Sequence, residues 1–150
     1  MRELHHGTVI ALGGAGALIR GPSGAGKSDL ALRCLDHPAG GLISGRAVLV
    51  ADDQVWLEQC GDRLVASTPE TIRGLIEARG MGIVRVPFVD TAVLALVVDL
   101  VASDRIDRLP DAATHAYICG MRLALLNISA FEGSSALKVL LALERAAAAQ

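Results

Sequence analysis

The sequence predicts an α/β fold: a mixed sheet flanked by helices and built around a phosphate-binding loop. Three observations carry that reading. Gly21-Pro22-Ser23-Gly24-Ala25-Gly26-Lys27-Ser28 matches the pattern G-x-x-x-x-G-K-[S/T] at every specified position. The apolar run Ala17-Leu18-Ile19-Arg20 leads into that loop as a strand, and Ser28 to Leu35 leads out of it as a helix. Elsewhere strand patterns outnumber helical ones, which favours a mixed sheet over a fully alternating doubly wound arrangement.

Each element follows from local pattern. Thr8 to Leu12 and Ala15 to Ile19 are apolar runs joined around Gly13-Gly14, the signature of a hairpin. The helix after Lys27 should end near Asp36-His37, because Pro38 disfavours helix at the residue before it. Ala47 to Ala51 is a continuous apolar run suited to a strand buried on both faces. Val55 to Glu58 and Arg63 to Ala66 flank Gly61-Asp62 as a second hairpin. Thr91 to Leu100 is a further buried strand, and Tyr117 to Cys119 pairs with Arg122 to Leu126 around Gly120. From Ala136 to Ala149, Leu137, Leu140 and Leu141 give one apolar stripe and Glu144-Arg145 a polar side, so this is the second helix.

At 150 residues the chain is expected to form one domain over residues 1–150, large enough for a substantial core. Its four aromatics are too scattered for a base-stacking platform, and a formal charge of −2 argues against a surface that tracks nucleic-acid phosphates. The longest greasy stretch, Ala92 to Val98, is far too short to span a membrane. Cys34, Cys60 and Cys119 are odd in number and lack C-x-x-C spacing, which suits a reducing, cytoplasmic setting and does not suggest a zinc site. His5, His37 and His115 have no carboxylate or cysteine at ligand spacing and read as surface or core residues.

The loop explains its own composition. Its glycines let backbone N–H groups curl around phosphate oxygens, Lys27 reaches the β- and γ-phosphates, and the Ser28 hydroxyl can ligate Mg²⁺. The following helix aims its N-terminal dipole at the anion. A second constellation is Asp52-Asp53, at the end of the strand from Ala47. A carboxylate there can hold Mg²⁺ or orient an attacking group, although the same pair suits a turn. If the strand continues, the two side chains point to opposite faces. A third is Leu75 to Val86, where Gly80 and Gly82 interrupt a strand-like segment and mark close backbone approach. Glu77 and Arg79, two apart, are expected on one face of it.

Taken together, these segments resemble the catalytic domain of HPr kinase/phosphorylase, the bacterial enzyme that modifies a serine of the phosphocarrier protein HPr. His6-Gly7, the loop from Gly21 to Ser28, Val50-Ala51-Asp52-Asp53 and Glu77-Ala78-Arg79-Gly80-Met81-Gly82-Ile83 carry the resemblance in order, with Asp107-Arg108-Leu109 as a weaker fifth stretch. The Glu-x-Arg-Gly-x-Gly-Ile segment is more specific to that family than the phosphate loop. The resemblance implies the HPr kinase and phosphoenolpyruvate-carboxykinase-like fold, in a short form without the family's N-terminal domain. It implies ATP and Mg²⁺ as cofactors, with the whole stretch Gly21, Pro22, Ser23, Gly24, Ala25, Gly26, Lys27 and Ser28 on the nucleotide. Asp52 would be the acid–base residue, with His6, Lys27 and Arg108 beside it in catalysis and Ser28, Asp53 and Glu77 at the metal.

The implied activity is ATP-dependent phosphorylation of a serine on an HPr-type carrier of the phosphotransferase system, by a homo-oligomer, a hexamer in the family. Nucleic acid and membrane are not expected partners. Two other readings stay open: a non-catalytic ATP-sensing module, and a small-molecule kinase. In the family a basic loop tied to phosphate-dependent dephosphorylation precedes the last helices. The corresponding stretch here, Ile128 to Ser135, holds no arginine, which speaks mainly for the forward direction. Pro22 stands where the family often has an acidic residue, an exchange that a cradle of backbone N–H groups tolerates.

Overall fold

The computed structural model describes residues 2–109 and 114–150. In chain order its elements are β1 (Arg2–His6), β2 (Thr8–Leu12), β3 (Ala15–Arg20), α1 (Lys27–Asp36), β4 (Val48–Ala51), β5 (Gln54–Cys60), β6 (Arg63–Ser67), β7 (Leu75–Ala78), β8 (Gly82–Arg85), β9 (Thr91–Leu100), β10 (His115–Ile118), β11 (Met121–Ile128) and α2 (Ser135–Ala148). Short 3₁₀ turns occupy Glu70–Ile72 and Ser103–Arg105. The strands form one mixed sheet in the order β1-β5-β6-β9-β3-β2-β4, plus the separate hairpin β7–β8. The expected α/β class, with its mixed sheet and helices, is the observed one.

The sheet forks at β9. Along one side β9 runs parallel to β3 from Val93 to Asp99. Along the other, its first residues pair antiparallel with β6 and its last five pair parallel with β11. Two wings therefore leave the same strand, β6-β5-β1 and β11-β10.

Alternation along the central strands feeds two cores, one on each face of the sheet. Ile10, Ala17, Ile19 and Leu49 face α1 and α2, where they meet Leu30, Cys34, Val139, Leu140 and Leu143. Val9, Ala11, Leu18 and Val50 face the opposite way, towards Val55, Leu57 and Leu64 of one wing and Ala116, Ile118 and Leu123 of the other. Each fully buried Leu or Ile contributes about 1.5–3 kcal/mol of transfer free energy. Both helices thus lie on one face of the sheet, and the β-wings cover the other. A register shift in β9, where Gly16 and Ala17 pair with Leu94 and Leu96, leaves Ala95 as an extra residue. Ala95 and Leu96 then both serve the helix-side core, while Leu94 and Val97 serve the other.

β1 is an edge strand with no apolar face of its own, held to β5 by backbone pairing from Arg2–Glu58 to His6–Gln54. The tip of the β10–β11 hairpin reaches this strand. Cys119 Sγ lies 3.3 Å from Glu3 Oε1 and 3.8 Å from His5 Nε2, and His5 Nε2 lies 3.1 Å from the same Glu3 oxygen. His5 therefore does have carboxylate and thiol neighbours, contrary to the sequence expectation, because one of them comes from 114 residues away. Hydrogen bonds from Cys119 and His5 hold the Glu3 carboxyl below its usual range.

The three cysteines are free and differ in burial. Cys34 is buried in the helix-side core, which pushes its thiol up to about 12. Burial and the Glu3 carboxylate raise the Cys119 thiol, whereas Cys60 is exposed. Because the thiolate is the reactive form, alkylation of the native protein at neutral pH should label Cys60 first, Cys119 more slowly, and Cys34 only on unfolding. Peptide mapping by mass spectrometry reads this order, and early labelling of Cys34 would contradict the packing described. Among the described residues no helix is long and apolar enough to cross a membrane.

Candidate active site

Strand β3 delivers the chain to the loop at a fixed point. Arg20, its last residue, makes a bidentate ion pair with Asp99 of β9, at 2.7 and 2.9 Å, on the adjacent strand. The loop then turns through Gly24 at φ 83° and Gly26 at φ 100°, left-handed values that disfavour any side chain. Gly26 caps α1 without a side-chain hydrogen bond, so the N–H groups of the helix's first turn point out of its N-terminus without intrahelical acceptors. A Cβ on Gly26 would also stand 3.0 Å from Ala130 Cβ and from Phe131 Cζ, so the segment after β11 packs directly against the loop.

Lys27 is buried to 6% exposure, and its Nζ donates to the carbonyls of Gly21 and Pro22 at 2.7 and 3.1 Å. Two of its three donors are thus held inside the loop it belongs to. Ser28 Oγ donates to Asp52 Oδ1 at 2.6 Å. Asp52, 7% exposed, also accepts the Thr8 hydroxyl on Oδ1 at 3.0 Å and the Glu77 backbone N–H on Oδ2 at 3.0 Å. Hydrogen bonds to a charged acceptor contribute about 1.5–3 kcal/mol each. Asp52 therefore joins β2, α1 and β7 at one point.

The strand does not continue through the acidic pair. β4 ends at Ala51, and Asp53 adopts φ 71°, which turns its carboxylate away from Asp52. It is exposed and faces His6 Nδ1 at 3.4 Å. Backbone bonds from Gly7 N to Asp53 O and from Asp53 N to Thr8 Oγ1 fasten this corner to the start of β2. Of the residues expected at a metal, Ser28 meets Asp52, Asp53 meets His6, and Glu77 sends only its backbone N–H to Asp52 while its carboxylate is exposed. Arg79 does not share a strand face with Glu77. β7 ends at Ala78, and Arg79 lies in the turn closed by Met81 N donating to Ala78 O. Arg108 is exposed beyond the Ser103–Arg105 turn, and among the described residues it is not drawn into the Asp52 network.

The profile of the family described as the HPr serine kinase C-terminal domain matches residues 1–149. The chain belongs to this family. HPr kinase/phosphorylase of Exiguobacterium sp. is 45% identical over 82 residues, covering 54% of this chain and 24% of the relative. HPr kinase/phosphorylase of Bordetella pertussis is 39% identical over 116 residues, covering 70% of this chain and 35% of the relative. The chain thus spans about a quarter to a third of the length of these curated relatives. The solved Hpr(Ser) kinase/phosphatase of Coxiella burnetii shares the fold, with a TM-score of 0.79, 23% identity, and coverage of 98% of this chain and 91% of that one.

Three contributors to this arrangement carry no sequence signal. Thr8, fully buried, is the first residue of an apolar run and looks like any β-branched strand residue, yet it is hydrogen-bonded to both Asp52 and Asp53. The Arg20–Asp99 pair depends on strand register. Arg33 on α1 reaches the carbonyls of Ala130 and Glu132 and ties the segment after β11 to the helix that follows the loop.

Proposed function

We propose that this chain is an ATP-dependent protein kinase that phosphorylates a serine of an HPr-type phosphocarrier protein. The observation that carries the reading is the direct hydrogen bond between the phosphate-loop hydroxyl, Ser28, and the buried strand-end carboxylate, Asp52. A buried carboxylate in contact with the phosphate loop supports an acid–base role for Asp52, in a family described as the HPr serine kinase C-terminal domain.

Phosphoryl transfer asks a protein mainly for positioning and charge stabilisation. The first-turn N–H groups of α1 and the Lys27 ammonium supply positive potential to the phosphates. Lys27 can do so by exchanging its loop carbonyls for phosphate oxygens. The hydroxyl of Ser28 and the exposed carboxylates of Asp53 and Glu77 are hard oxygen donors of the kind that fits Mg²⁺, and they are the residues that would hold it. When bound, the ion neutralises charge on the nucleotide phosphates. Asp52 has about four acceptor positions, two on each oxygen. Two hydroxyls occupy Oδ1 and one N–H occupies Oδ2, so the remaining position on Oδ2 is the one that would accept the proton of the attacking serine.

His6, paired with Asp53, is assigned to the acceptor side of the site, and Arg108 to charge stabilisation on the transferring group. Beside the loop a cleft of about 400 Å³, lined by Pro22, Ala25, Leu100, Val101, Ala130 and Phe131, suits the base and sugar of ATP. Residues 1–150 are further proposed to form one catalytic domain of a cytoplasmic homo-hexamer, whose size light scattering tests. The forward direction is favoured because the segment from Ile128 to Ser135 brings no cation of its own, and two cations against it are engaged, Arg33 with its carbonyls and Lys138 with Glu132 at 3.7 Å.

The test is transfer of labelled γ-phosphate from Mg²⁺-ATP to an HPr-type carrier. Label on a carrier serine is expected. Nucleotide binding without transfer would point to a sensor, and label on a small molecule alone to a small-molecule kinase. Adding excess inorganic phosphate to the phosphorylated carrier is expected to return little free carrier.

A further inference from the structure

A second cluster of chemically active side chains sits where the two wings of the sheet meet, outside the Asp52 network. Glu3 and His5 are two apart on β1 and so share a face. Their cross-strand partners Leu57 and Val55 are fully buried, so that face is turned towards the wing-side core. The other wing presents Cys119 to it from the β10–β11 turn. Cys119 and Gly120 have φ of 49° and 76°, the left-handed pair that a two-residue hairpin turn requires. Asn, Asp or Gly is the usual occupant of the first of these positions. A cysteine there accepts an unfavourable backbone conformation and aims its sulfur at Glu3 and His5.

We propose that Glu3, His5 and Cys119 form a binding site for Zn²⁺ or a similar divalent transition ion. Among the described residues this is the group whose ligand atoms, one carboxylate oxygen, one imidazole nitrogen and one sulfur, lie within 4.8 Å of one another. The separations decide more than the count. Zinc–ligand bonds of about 2.0–2.3 Å in tetrahedral geometry place donor atoms about 3.3–3.6 Å apart. The observed edges are 3.1 Å between Glu3 and His5, 3.3 Å between Glu3 and Cys119, and 3.8 Å between Cys119 and His5. Shifts of a few tenths of an ångström convert this triangle into one face of the tetrahedron.

The donor set is mixed in softness, which suits Zn²⁺ or Co²⁺ and not Mg²⁺. A solvent-open cleft of about 420 Å³ lined by Glu3, Gln59, Gly61 and Cys119 leaves room for water as the fourth ligand. Binding replaces the Cys119 S–H proton, which passes to solvent, and leaves thiolate, carboxylate and neutral imidazole on the ion. The ion would fasten the hairpin tip to edge strand β1, whose last residue is His6.

Titration of the tag-free chain with Co²⁺ in saturating Mg²⁺ tests the site. One equivalent should produce thiolate-to-cobalt charge-transfer absorption with the d–d bands of a tetrahedral ion, and Zn²⁺ should abolish both. Cys119→Ser and His5→Ala should each weaken binding at least about 100-fold while far-UV circular dichroism is unchanged. In the unmutated protein, Zn²⁺ should slow alkylation of Cys119 and leave Cys60 unaffected, a comparison that stands even if a variant fails to fold. Absence of the charge-transfer band, binding indifferent to both substitutions, or equal protection of the two cysteines would each overturn the proposal.

Discussion

Lys27→Ala is expected to reduce phosphoryl transfer to the carrier at least about a thousandfold while the protein remains folded. The ammonium is the one side-chain cation built into the phosphate loop, and it is positioned by the Gly21 and Pro22 carbonyls. Its loss removes those two hydrogen bonds and the positive charge together. The helix it begins is held by Leu30, Ala31, Cys34 and Leu35 in the core, so the fold does not depend on the ammonium. Thermal melts should therefore stay close to those of the unmutated protein, and nucleotide affinity should fall along with transfer. Lys27→Arg should not rescue activity, because the guanidinium is larger than the space left at 6% exposure. Transfer within tenfold of the unmutated rate in Lys27→Ala would refute the assignment of the loop.

The second large effect belongs to Asp52. Asp52→Asn preserves shape, yet the amide cannot match all three donors that now face the carboxylate. If its oxygen meets the Thr8 and Ser28 hydroxyls, its NH₂ opposes the Glu77 N–H; the reverse orientation places NH₂ against the hydroxyls. The hydroxyls can rotate and the backbone N–H cannot. The amide should therefore keep its oxygen on the Glu77 N–H and turn its NH₂ to Thr8 and Ser28, whose hydroxyls must then accept instead of donate. Transfer should fall by three orders of magnitude or more while ATP binding, measured by calorimetry, persists, with stability lower by about 1–3 kcal/mol. Thr8→Val separates base from scaffold. It removes one donor to Asp52 and the acceptor of the Asp53 N–H but keeps the carboxylate, so a comparable loss of stability with most of the transfer rate retained is expected. If Asp52→Asn still phosphorylates the carrier at a comparable rate, Asp52 is not the base.

What the sequence revealed and what it concealed divide along the range of the interactions. The phosphate loop, α1 and the hairpins β2–β3, β5–β6 and β10–β11 follow from patterns a few residues long and stand close to where their residues placed them, except that Cys119, expected within a strand, lies in the β10–β11 turn. Asp52 stood out because it directly follows a strand whose apolar run is unbroken. The strand β1 did not, since an edge strand held mainly by backbone pairing to β5 has no reason to alternate. Thr8 was hidden because its hydroxyl matters through Asp52, 44 residues on. His5 looked isolated for the same reason: its thiol neighbour, Cys119, arrives only when the wings close. The extra residue at Ala95 arises from pairing between β3 and β9, which no window along one strand contains. Arg79 was misplaced because a two-residue period was extended through a turn that Gly80 and Gly82 permit.

The fork at β9 also sets an order of events during synthesis. Residues 91–100 are the shared neighbour of β3, β6 and β11. A nascent chain that has released the phosphate loop, α1 and the Asp52 corner still lacks the strand against which β3 is registered. Chains emerge at about 5–20 residues per second, so the loop waits several seconds for its foundation. Through that interval the apolar faces of β2, β3 and α1 are without their full cover, and the span between residue 36 and residue 91 is where a chaperone would have most to shield. A ribosome stalled before Leu100 should expose a phosphate loop that does not yet hold nucleotide.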